Sequence, residues 1–331
     1  MWCNLNNSAK ISNSKLTNLK STIPNPKSVV ILGAGAWGTA LGAIAEANNH
    51  QVKIWSRHGS LSLADAVKDA DIILSAISMQ GVSEVAKQIQ SLDISPDVIF
   101  ITATKGLDPE TTCTPSQIWQ EMFPLHSVVV LSGPNLSKEI QQELPAATVV
   151  ASRSATAAEF VATVFSSPRF RVYTNLDPLG VELGGTLKNV IAIASGACDG
   201  LQLGTNAKAA LVTRGLTEMV RIGVSWGAKT ETFYGLSGLG DLLATCNSSL
   251  SRNYQVGYQL AQGKSLVEIL AHLQGTAEGV NTCNVLMQSA KKQNISMPIT
   301  EQVYRVFQGE ITPRQALEEL MLRDIKPEYN D

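Results

Sequence analysis

The 331-residue sequence has few charged residues, 16% of the total, and a formal net charge of only −2. A chain with so little net charge has no overall basic field to attract nucleic acid or anionic membranes, so any anion-binding site must be local. It also has no run of about 20 apolar residues, the length that crosses a bilayer. We therefore expect a soluble protein with no nucleic-acid partner and no stable membrane insertion.

Cysteine is scarce too, and its five copies lie far apart in the sequence (Cys3, Cys113, Cys198, Cys246 and Cys283). They form no CxxC pair, and no histidine stands at the spacing of a zinc site. We therefore expect no disulfide framework and no metal site. This cysteine usage fits a reducing compartment and predicts a cytoplasmic location.

Acidic residues and arginine are absent from residues 1–26, which are rich in Asn, Ser and Lys. A segment of this composition cannot bury a core, so it is predicted to be a disordered N-terminal tail. An acid-poor, Ser-rich leader also resembles an organellar transit peptide. Such peptides are rich in arginine, however, and this segment has none.

Between residues 27 and 177, short apolar runs alternate with helix-like segments. The runs are typical of strands buried on both faces, and they cover residues 28–32, 52–55, 72–77, 98–102, 128–131 and 148–150. The helix-like segments are residues 39–47, 80–90, 114–122 and 155–165. This alternation predicts an α/β domain with right-handed crossovers and a doubly wound parallel sheet.

After Asp177 the pattern changes to helices, with almost no strand candidates. The helix-like segments are residues 181–197, 207–226, 257–262, 265–271, 281–293 and 298–307. A chain of this length is expected to form two domains. With Pro178 at the boundary, we predict a first domain over residues 27–177 and an all-helical, substrate-binding C-terminal domain over residues 178–331.

The first predicted strand runs directly into Gly33-Ala34-Gly35-Ala36-Trp37-Gly38, which opens a helix. The GxGxxG spacing is a weak signal alone but a strong one between a strand and a helix. Gly33 permits the tight turn, Gly35 lets the backbone approach a pyrophosphate, and Gly38 lets helix and strand pack closely. The helix N-terminus adds free N–H groups and the positive end of a dipole. These features predict a Rossmann-like dinucleotide-binding domain.

The end of the second predicted strand indicates which dinucleotide binds. A carboxylate there accepts hydrogen bonds from the adenosine ribose, whereas arginine suits a 2′-phosphate. The sequence has Trp55-Ser56-Arg57-His58 and no carboxylate. Because the guanidinium of Arg57 is planar and permanently charged, NADPH is favoured over NADH. The alternative is that Arg57 is a solvated surface residue.

The predicted helix at residues 181–197 contains a lone lysine, Lys188, among apolar residues. Gly184 and Gly185 precede it, and each costs a helix about 1 kcal/mol relative to alanine, which implies the close approach of another element. A buried lysine loses hydration, so its pKa falls and it can carry a proton. The alternative is a lysine that extends to solvent.

Two polar segments follow in the second half. The glycine-rich loop 235–241 ends in the carboxylate of Asp241, and Ser251-Arg252-Asn253 precedes a further helical run. Hydroxyl, guanidinium and amide donors at a helix start are suited to phosphate. Read alone, the Ser-Arg-Asn cluster is equally compatible with a helix cap beside an exposed arginine.

Several longer motifs then occur in order between about residue 27 and about residue 310. They are GAGAWGTA, Thr104-Lys105-Gly106, Gly133-Pro134, LGGTLKNVIAIASG, NAKAALVTRGLTEM, GLSGLGDLLATC, Ser251-Arg252-Asn253 and Ala277-Glu278-Gly279. Together they resemble the bacterial-type NAD(P)-dependent glycerol-3-phosphate dehydrogenases. The resemblance implies reversible hydride transfer between NAD(P)H and dihydroxyacetone phosphate, which yields sn-glycerol 3-phosphate for glycerophospholipid synthesis. It also implies a small-molecule substrate, and we expect a homodimer.

The resemblance assigns roles to individual positions. Lys188 matches the catalytic proton acceptor for glycerol 3-phosphate oxidation, and Asp241 lies close to it. The implied substrate contacts are Lys105, Gly133, Asn135, Asp241, Ser251, Arg252 and Asn253. Besides the three glycines, the implied cofactor contacts are Ala36, Trp37, Arg57, His58, Lys105, Ser137, Arg252, Thr276 and Glu278.

The sequence departs from the family pattern at several positions. Asn135 stands where Ser or Thr is usual, Ser137 where Ala is common, and Ser78 where Pro is usual. The segment 59–70 after His58 is much shorter than in the family. These departures leave open the side-chain roles at Asn135 and Ser137 and the adenine side of the cleft.

Two other functions compete with this interpretation. One is a related two-domain dehydrogenase for a β-hydroxy acid or ketopantoate, against which the phosphate-binding chemistry of Ser251-Arg252-Asn253 argues. The other is a non-catalytic nucleotide sensor. Lys188 and Asp241 argue against a sensor, since it needs neither residue.

Overall fold

The computed structural model describes residues 25–273, 275–325 and 327–328. Residues 1–24 of the predicted tail lie outside the described residues, and so does the end of the chain after residue 328.

A single seven-stranded sheet forms the first half of the described chain. Its strands are β1 Ser28–Leu32, β2 Gln51–Trp55, β3 Ile72–Ser75, β4 Ile99–Thr102, β5 Val128–Ser132, β6 Ala146–Ala151 and β7 Phe170–Asn175. The spatial order is β2-β1-β3-β4-β5-β6-β7, and β1 to β5 pair in parallel. The predicted α/β class with a doubly wound sheet is confirmed, and the sheet, which was predicted to be parallel, is mostly so.

The sheet differs from the sequence prediction at one side. β6 runs antiparallel to β5, and β7, which was not predicted, pairs in parallel with β6. β7 lies at the edge of the sheet, where several of its side chains are exposed. An edge strand therefore lacks the continuous apolar run by which the buried strands were recognised.

Helices cover both faces of the sheet. They are α1 Ala36–Ala47, α2 Leu63–Val67, α3 Val82–Gln90, α4 Pro115–Met122, α5 Ser137–Gln141 and α6 Ala155–Phe165. In β1, Val29 and Ile31 point to one face and pack with α1 and α6, while Val30 and Leu32 point to the other and pack with α3 and α4. This alternation explains why the strand is apolar at every position.

From Pro178 onward, the elements of the described residues are helical. They are α7 Pro178–Gly200, α8 Gly204–Ser225, α9 Thr230–Phe233, α10 Asp241–Cys246, α11 Arg252–Ala261, α12 Leu266–His272, α13 Glu278–Gln293, α14 Pro298–Phe307 and α15 Pro313–Met321. α11 begins five residues earlier than predicted, and α15 was not predicted although Thr312 and Gln315 form a capping box there. The division into two domains at Pro178 stays a prediction.

The long helix α7 is the centre of this helical half. Most of its residues are buried, and its apolar side chains belong to the main hydrophobic cluster. Asp177 begins the helix, because its carboxylate accepts hydrogen bonds from Gly180 N (2.9 Å), Lys229 N (2.9 Å) and Thr232 Oγ1 (2.7 Å). One buried carboxylate thus caps α7 and holds the start of α9 against it. No helix among the described residues is long and apolar enough to span a membrane.

A second buried carboxylate links α7 to the sheet-covering helix α4. Glu182 is 2% exposed and accepts hydrogen bonds from Ser116 N (2.9 Å) and Ser116 Oγ (2.5 Å) in the first turn of α4. Burial raises the pKa of Glu182 from 4.5 to about 7, although hydrogen bonds from Ser116 and Thr114 act in the opposite direction. The folded chain therefore holds a proton on Glu182 at pH values where the unfolded chain has lost it.

This difference makes the contribution of Glu182 to stability dependent on pH. An acid whose pKa is raised by folding contributes its full stability below the unfolded pKa, near 4.5, and loses it as pH rises toward 7. The free energy of unfolding of the wild type, relative to Glu182→Gln, should fall by on the order of 2 kcal/mol between pH 5 and pH 7.5. Urea unfolding of both chains across this range measures it, and parallel pH curves would contradict the prediction.

Candidate active site

The glycine-rich turn after β1 has the geometry expected of a dinucleotide loop. Gly33 has φ +119°, and a Cβ atom placed on it would lie 2.6 Å from the carbonyl oxygen of Ala76. A Cβ atom on Gly38 would lie 2.1 Å from the carbonyl oxygen of Gly33. The fold itself therefore requires both glycines.

Gly35 is different, because a Cβ atom placed there would meet no protein atom within 4 Å. Gly35 is also the N-cap of α1, and none of the described side chains caps this helix end. Next to it, the indole N–H of Trp37 is buried and has no hydrogen-bond partner among the described residues. The exposed backbone at this uncapped helix start fits the pyrophosphate of a dinucleotide.

Arg57 and His58 follow β2 after one intervening residue, Ser56, and both are exposed. The guanidinium of Arg57 lies 3.1 Å from the carboxylate of Glu84 on α3, and both side chains are about 60% exposed. An ion pair in such contact with water is weak and can be exchanged for another anion. A role for Arg57 toward a 2′-phosphate fits this position but stays a prediction.

α7 packs directly against the carboxyl ends of the strands. A Cβ atom on Gly184 would lie 2.8 Å from the carbonyl oxygen of Ser237, and one on Gly185 would lie 2.3 Å from Ser132 Oγ at the end of β5. The same position on Gly185 is 3.3 Å from the Lys105 side chain, which follows β4. The close approach inferred from the two glycines is confirmed, and it brings the middle of α7 to the edge of the sheet.

Three charged side chains meet at this point. Lys188 Nζ lies 2.5 Å from Asp241 Oδ1, and Lys105 Nζ lies 2.6 Å from Asp241 Oδ2. Lys188 is 6% exposed and Asp241 is 2% exposed, so Lys188 does not extend to solvent. One buried carboxylate thus lies between two ammonium groups that come from the sheet and from α7.

Burial lowers the pKa of Lys188 from 10.5 to about 8. The charge of Asp241 opposes this change, and the positive charge of Lys105 adds to it. A lysine with this pKa holds a mixture of charged and neutral forms near neutral pH. Near this pH the ammonium and the neutral amine differ little in free energy, so Lys188 can either give or accept a proton.

Thr245 and Ser132 belong to the site but were not predicted. Lys188 Nζ also donates to the hydroxyl of Thr245, which lies one helical turn after Asp241 on α10. The spacing of four residues that places Asp241 and Thr245 on one helix face was the available signal. Ser132 Oγ is buried beside Lys105 and Gly185 and has no partner among the described residues.

The Ser-Arg-Asn cluster forms the start of α11, and its members differ in exposure. Ser251 is the N-cap and accepts a hydrogen bond from Tyr254 N (3.2 Å). Asn253 is buried, and its side-chain oxygen accepts from Gly279 N (3.0 Å) at the start of α13. Arg252 is exposed. Part of the cluster is therefore structural, and Arg252 supplies a charged group that a ligand can reach.

Glu278 lies where the helical half meets the sheet half. Glu278 begins α13, and its carboxylate accepts a hydrogen bond from Met79 N (3.3 Å). A Cβ atom on Gly106 would lie 3.4 Å from the same carboxylate. Burial raises the pKa of Glu278. Thr276 is exposed nearby in the chain, and the contact of either residue with a cofactor stays a prediction.

Asn135 follows Gly133 after β5, but its side chain is turned toward β6. Its Nδ2 donates to Ala147 O (3.1 Å), and its Oδ1 accepts from Thr148 Oγ1 (2.8 Å). These two bonds hold the amide against β6, and a contact of Asn135 with the substrate stays a prediction. Ser137 begins the short helix α5 and is partly buried.

In the parts of the chain that the structure describes, no group of three or more His, Cys, Asp or Glu residues could hold a metal ion. The polar chemistry of the site described above comes from lysine, carboxylate, hydroxyl and guanidinium groups.

Two family models match the chain. One describes the N-terminus of NAD-dependent glycerol-3-phosphate dehydrogenase and matches residues 28–62 and 58–158, and the other describes its C-terminus and matches residues 177–318. A relative from Trichormus variabilis, named glycerol-3-phosphate dehydrogenase (NAD(P)+), is 76% identical over 302 residues, which is 91% of this chain and 98% of the relative.

Solved structures agree. Glycerol-3-phosphate dehydrogenase from Coxiella burnetii superposes with a TM-score of 0.86 at 33% identity, covering 90% of this chain and 99% of that one. A 2-dehydropantoate 2-reductase from Geobacter metallireducens reaches a TM-score of 0.54 at 12% identity, covering 86% of this chain and 100% of that one, and this likeness shows only the fold. On the strength of its two domain matches and its 76% identical relative, the chain belongs to the NAD-dependent glycerol-3-phosphate dehydrogenase family.

Proposed function

We propose that this chain is an oxidoreductase that interconverts dihydroxyacetone phosphate and sn-glycerol 3-phosphate, using NADPH in preference to NADH. The observation that carries the proposal is the buried pair of Lys188 and Asp241, 2.5 Å apart, beside Lys105. The names of the relatives support the same reaction. The product would serve glycerophospholipid synthesis, as the family resemblance implies.

Lys188 moves the proton in this mechanism. In the reducing direction its ammonium donates a proton to the alkoxide that develops at C2 of dihydroxyacetone phosphate. In the oxidising direction neutral Lys188 accepts the proton of the C2 hydroxyl. A pKa of about 8 makes both forms available under ordinary conditions, which suits a reversible reaction. The bound dinucleotide supplies or accepts the hydride.

Asp241, Thr245 and Lys105 hold Lys188 in place and set its charge. Asp241 accepts hydrogen bonds from both lysines, so the Nζ atom of Lys188 is aimed rather than free to rotate. Lys105 is partly exposed, with 21% of its side chain accessible, and it adds a second positive charge beside the reacting oxygen. Fixed positive charge where an alkoxide develops stabilises the transition state.

The phosphate end of the substrate is assigned to the start of α11. Arg252 provides a charged, accessible donor, and the helix start provides backbone N–H groups. Holding the phosphate limits the carbonyl to one pose beside Lys188, which lowers the entropic barrier to the reaction.

The remaining site residues are proposed as contacts. For the substrate they are Lys105, Gly133, Asn135, Asp241, Ser251, Arg252 and Asn253. For the cofactor they are Gly33, Gly35, Ala36, Trp37, Gly38, Arg57, His58, Lys105, Ser137, Arg252, Thr276 and Glu278. A homodimer and a cytoplasmic location are also proposed, and they rest on the sequence analysis alone.

The reaction is tested by NADPH oxidation with purified chain and a panel of substrates. The kcat/KM for dihydroxyacetone phosphate should exceed that for ketopantoate or a β-keto acid by about 10²-fold or more. The reason is that a site built for phosphate leaves its hydrogen-bond donors unpaired when a substrate without phosphate binds. Comparable kcat/KM values for a keto acid would favour the related dehydrogenases. Tight NADPH binding without turnover of any of these substrates would favour a nucleotide sensor.

A second prediction concerns Lys188. Lys188→Met keeps the length and the apolar stem but removes the titrating group, so turnover should fall by about 10²–10⁴-fold. NADPH affinity, measured by fluorescence titration, should stay near that of the wild type. Lys292→Met, which changes an exposed lysine on α13, is the matched control. Near-normal turnover of Lys188→Met would overturn the mechanism, and loss of NADPH affinity as well would indicate a structural lysine.

The same residue predicts opposite pH profiles for the two directions. Reduction needs the Lys188 ammonium, so its kcat/KM should fall as pH rises through about 8. Oxidation needs neutral Lys188, so its kcat/KM should rise over the same interval. Initial rates in both directions from pH 6 to pH 10 measure this, and profiles that move together would contradict it.

A further prediction concerns cofactor choice. Arg57→Asp places a negative charge where a 2′-phosphate would bind and offers an acceptor to a ribose hydroxyl. The NADPH-to-NADH ratio of kcat/KM should fall by about 10–100-fold, the range for a lost charge-assisted hydrogen bond. Glu84→Gln breaks the same ion pair but keeps Arg57, so it should retain the preference. An unchanged ratio in Arg57→Asp would leave Arg57 as a surface residue.

A further inference from the structure

Three helices of the helical half meet at a polar cluster just behind the phosphate end of the site. Asp199 near the end of α7 accepts hydrogen bonds from Tyr254 OH on α11 and from Lys208 Nζ on α8, each at 2.6 Å and both to the same oxygen. Lys208 Nζ also lies 5.4 Å from the centre of the Tyr254 ring. We call Asp199, Lys208 and Tyr254 the tyrosine cluster.

Tyr254 is the third residue of α11, directly after Arg252 and Asn253. Its backbone is held against α7, because a Cβ atom on Gly196 would lie only 2.0 Å from the carbonyl oxygen of Tyr254. A second glycine, on α11, makes an equally close contact with α7, since a Cβ atom on Gly257 would lie 1.7 Å from the carbonyl oxygen of Ile193. Small residues that let two helix backbones touch leave little freedom for one helix to slide along the other.

The hydroxyl of Tyr254 is a stable donor to Asp199. Burial and the hydrogen bond to Asp199 both raise the pKa of the phenol, so the proton stays on the hydroxyl near neutral pH. The acceptor carries a negative charge and is paired with Lys208, which makes the bond charge-assisted. The side chain of Tyr254 therefore ties the first turn of α11 to α7 and, through Lys208, to α8.

We propose that Tyr254 is a positioning residue for the phosphate end of the substrate, which it places by holding Arg252 and Asn253 at a set position relative to Lys188. The proposal rests on the proposed function, and it adds a residue for which neither the motifs nor the fold predicted a role. The substrate spans two helices, since its phosphate is assigned to α11 and its reacting oxygen to Lys188 on α7. The position of α11 relative to α7 therefore sets the distance between the bound phosphate of the substrate and its reacting oxygen.

The test is Tyr254→Phe, which removes only the hydroxyl. Its matched control is Tyr258→Phe, which makes the same change one turn later on α11, where the Tyr258 ring lies 6.3 Å from the Tyr254 ring. Calorimetry with glycerol 3-phosphate should show affinity weakened about 3–10-fold in Tyr254→Phe, the range for one lost hydrogen bond, and unchanged in Tyr258→Phe. The melting temperature should stay near that of the wild type in both variants, and Tyr258→Phe should also leave NADPH affinity unchanged.

Kinetic measurements and substitutions of Asp199 distinguish a positioning role of Tyr254 from a general disturbance of the site. In Tyr254→Phe the KM for dihydroxyacetone phosphate should rise, while kcat/KM for dihydroxyacetone, which has no phosphate, should be unchanged. Asp199→Asn keeps an oxygen that can accept the Tyr254 hydroxyl, so it should lose less affinity than Asp199→Leu. Equal losses with both substrates, equal losses in both tyrosine variants, or no loss in Tyr254→Phe would each overturn the proposal.

The binding measurement also separates this proposal from the proposed function. A wild-type chain that binds glycerol 3-phosphate but does not oxidise it would contradict the proposed reaction, and the affinity comparison would still decide the role of Tyr254. Turnover in the wild type with identical affinities in wild type and Tyr254→Phe would overturn the positioning role and leave the reaction standing. A wild type that does not bind glycerol 3-phosphate would overturn both.

Discussion

The proposed chemistry of this protein depends on keeping the ammonium of Lys188 almost out of water. Removing such an ion from water costs several kcal/mol even after the protein relaxes. Asp241 offsets part of this cost by direct contact, and Asp241 is itself buried, so neither group is tolerable without the other. The pair explains why a carboxylate and a lysine that are 53 positions apart in the sequence must be brought together by the fold.

Lys105 changes the net charge around the pair of Lys188 and Asp241. With two ammonium groups around one carboxylate, the cluster carries a net positive charge when both lysines are protonated. The chain as a whole has a formal net charge of −2, so the proposed attraction for an anionic substrate would come from this site and not from the surface as a whole. The same positive neighbour helps to lower the pKa of Lys188, so in the proposed mechanism Lys105 affects both substrate attraction and proton transfer.

The helix α7 connects the pair of Lys188 and Asp241 to the rest of the fold. Its start is capped by Asp177, its first turns contact α4 through Glu182, and its middle carries Lys188 at the end of the sheet. Near its end, Asp199 holds the first turn of α11. One long helix thus connects the sheet, the proposed proton carrier and the proposed phosphate site, and close packing transmits a shift at one of these contacts to the others.

Local features of the fold and site could be predicted from the sequence. Gly38 has a steric cause five residues away, at Gly33, and the positive φ of Gly33 belongs to the turn itself. The buried strands are apolar at successive positions because both faces are covered. The close approach at Gly184 and Gly185 was predictable in the same way, since two glycines in a helix have a cost that only a neighbouring element explains. The identity of that neighbour was not predictable.

By itself, then, the sequence determined the α/β class, the dinucleotide loop and, through its family motifs, the candidate roles of Lys188 and Asp241. Only the tertiary structure decided that Lys188 is buried, that Lys105 shares Asp241, and that the amide of Asn135 faces β6. It also decided the partners of Tyr254, which the sequence did not single out. The physical reason is that loop and strand patterns depend on neighbours in the chain, whereas burial and charge pairing depend on packing between segments far apart in sequence.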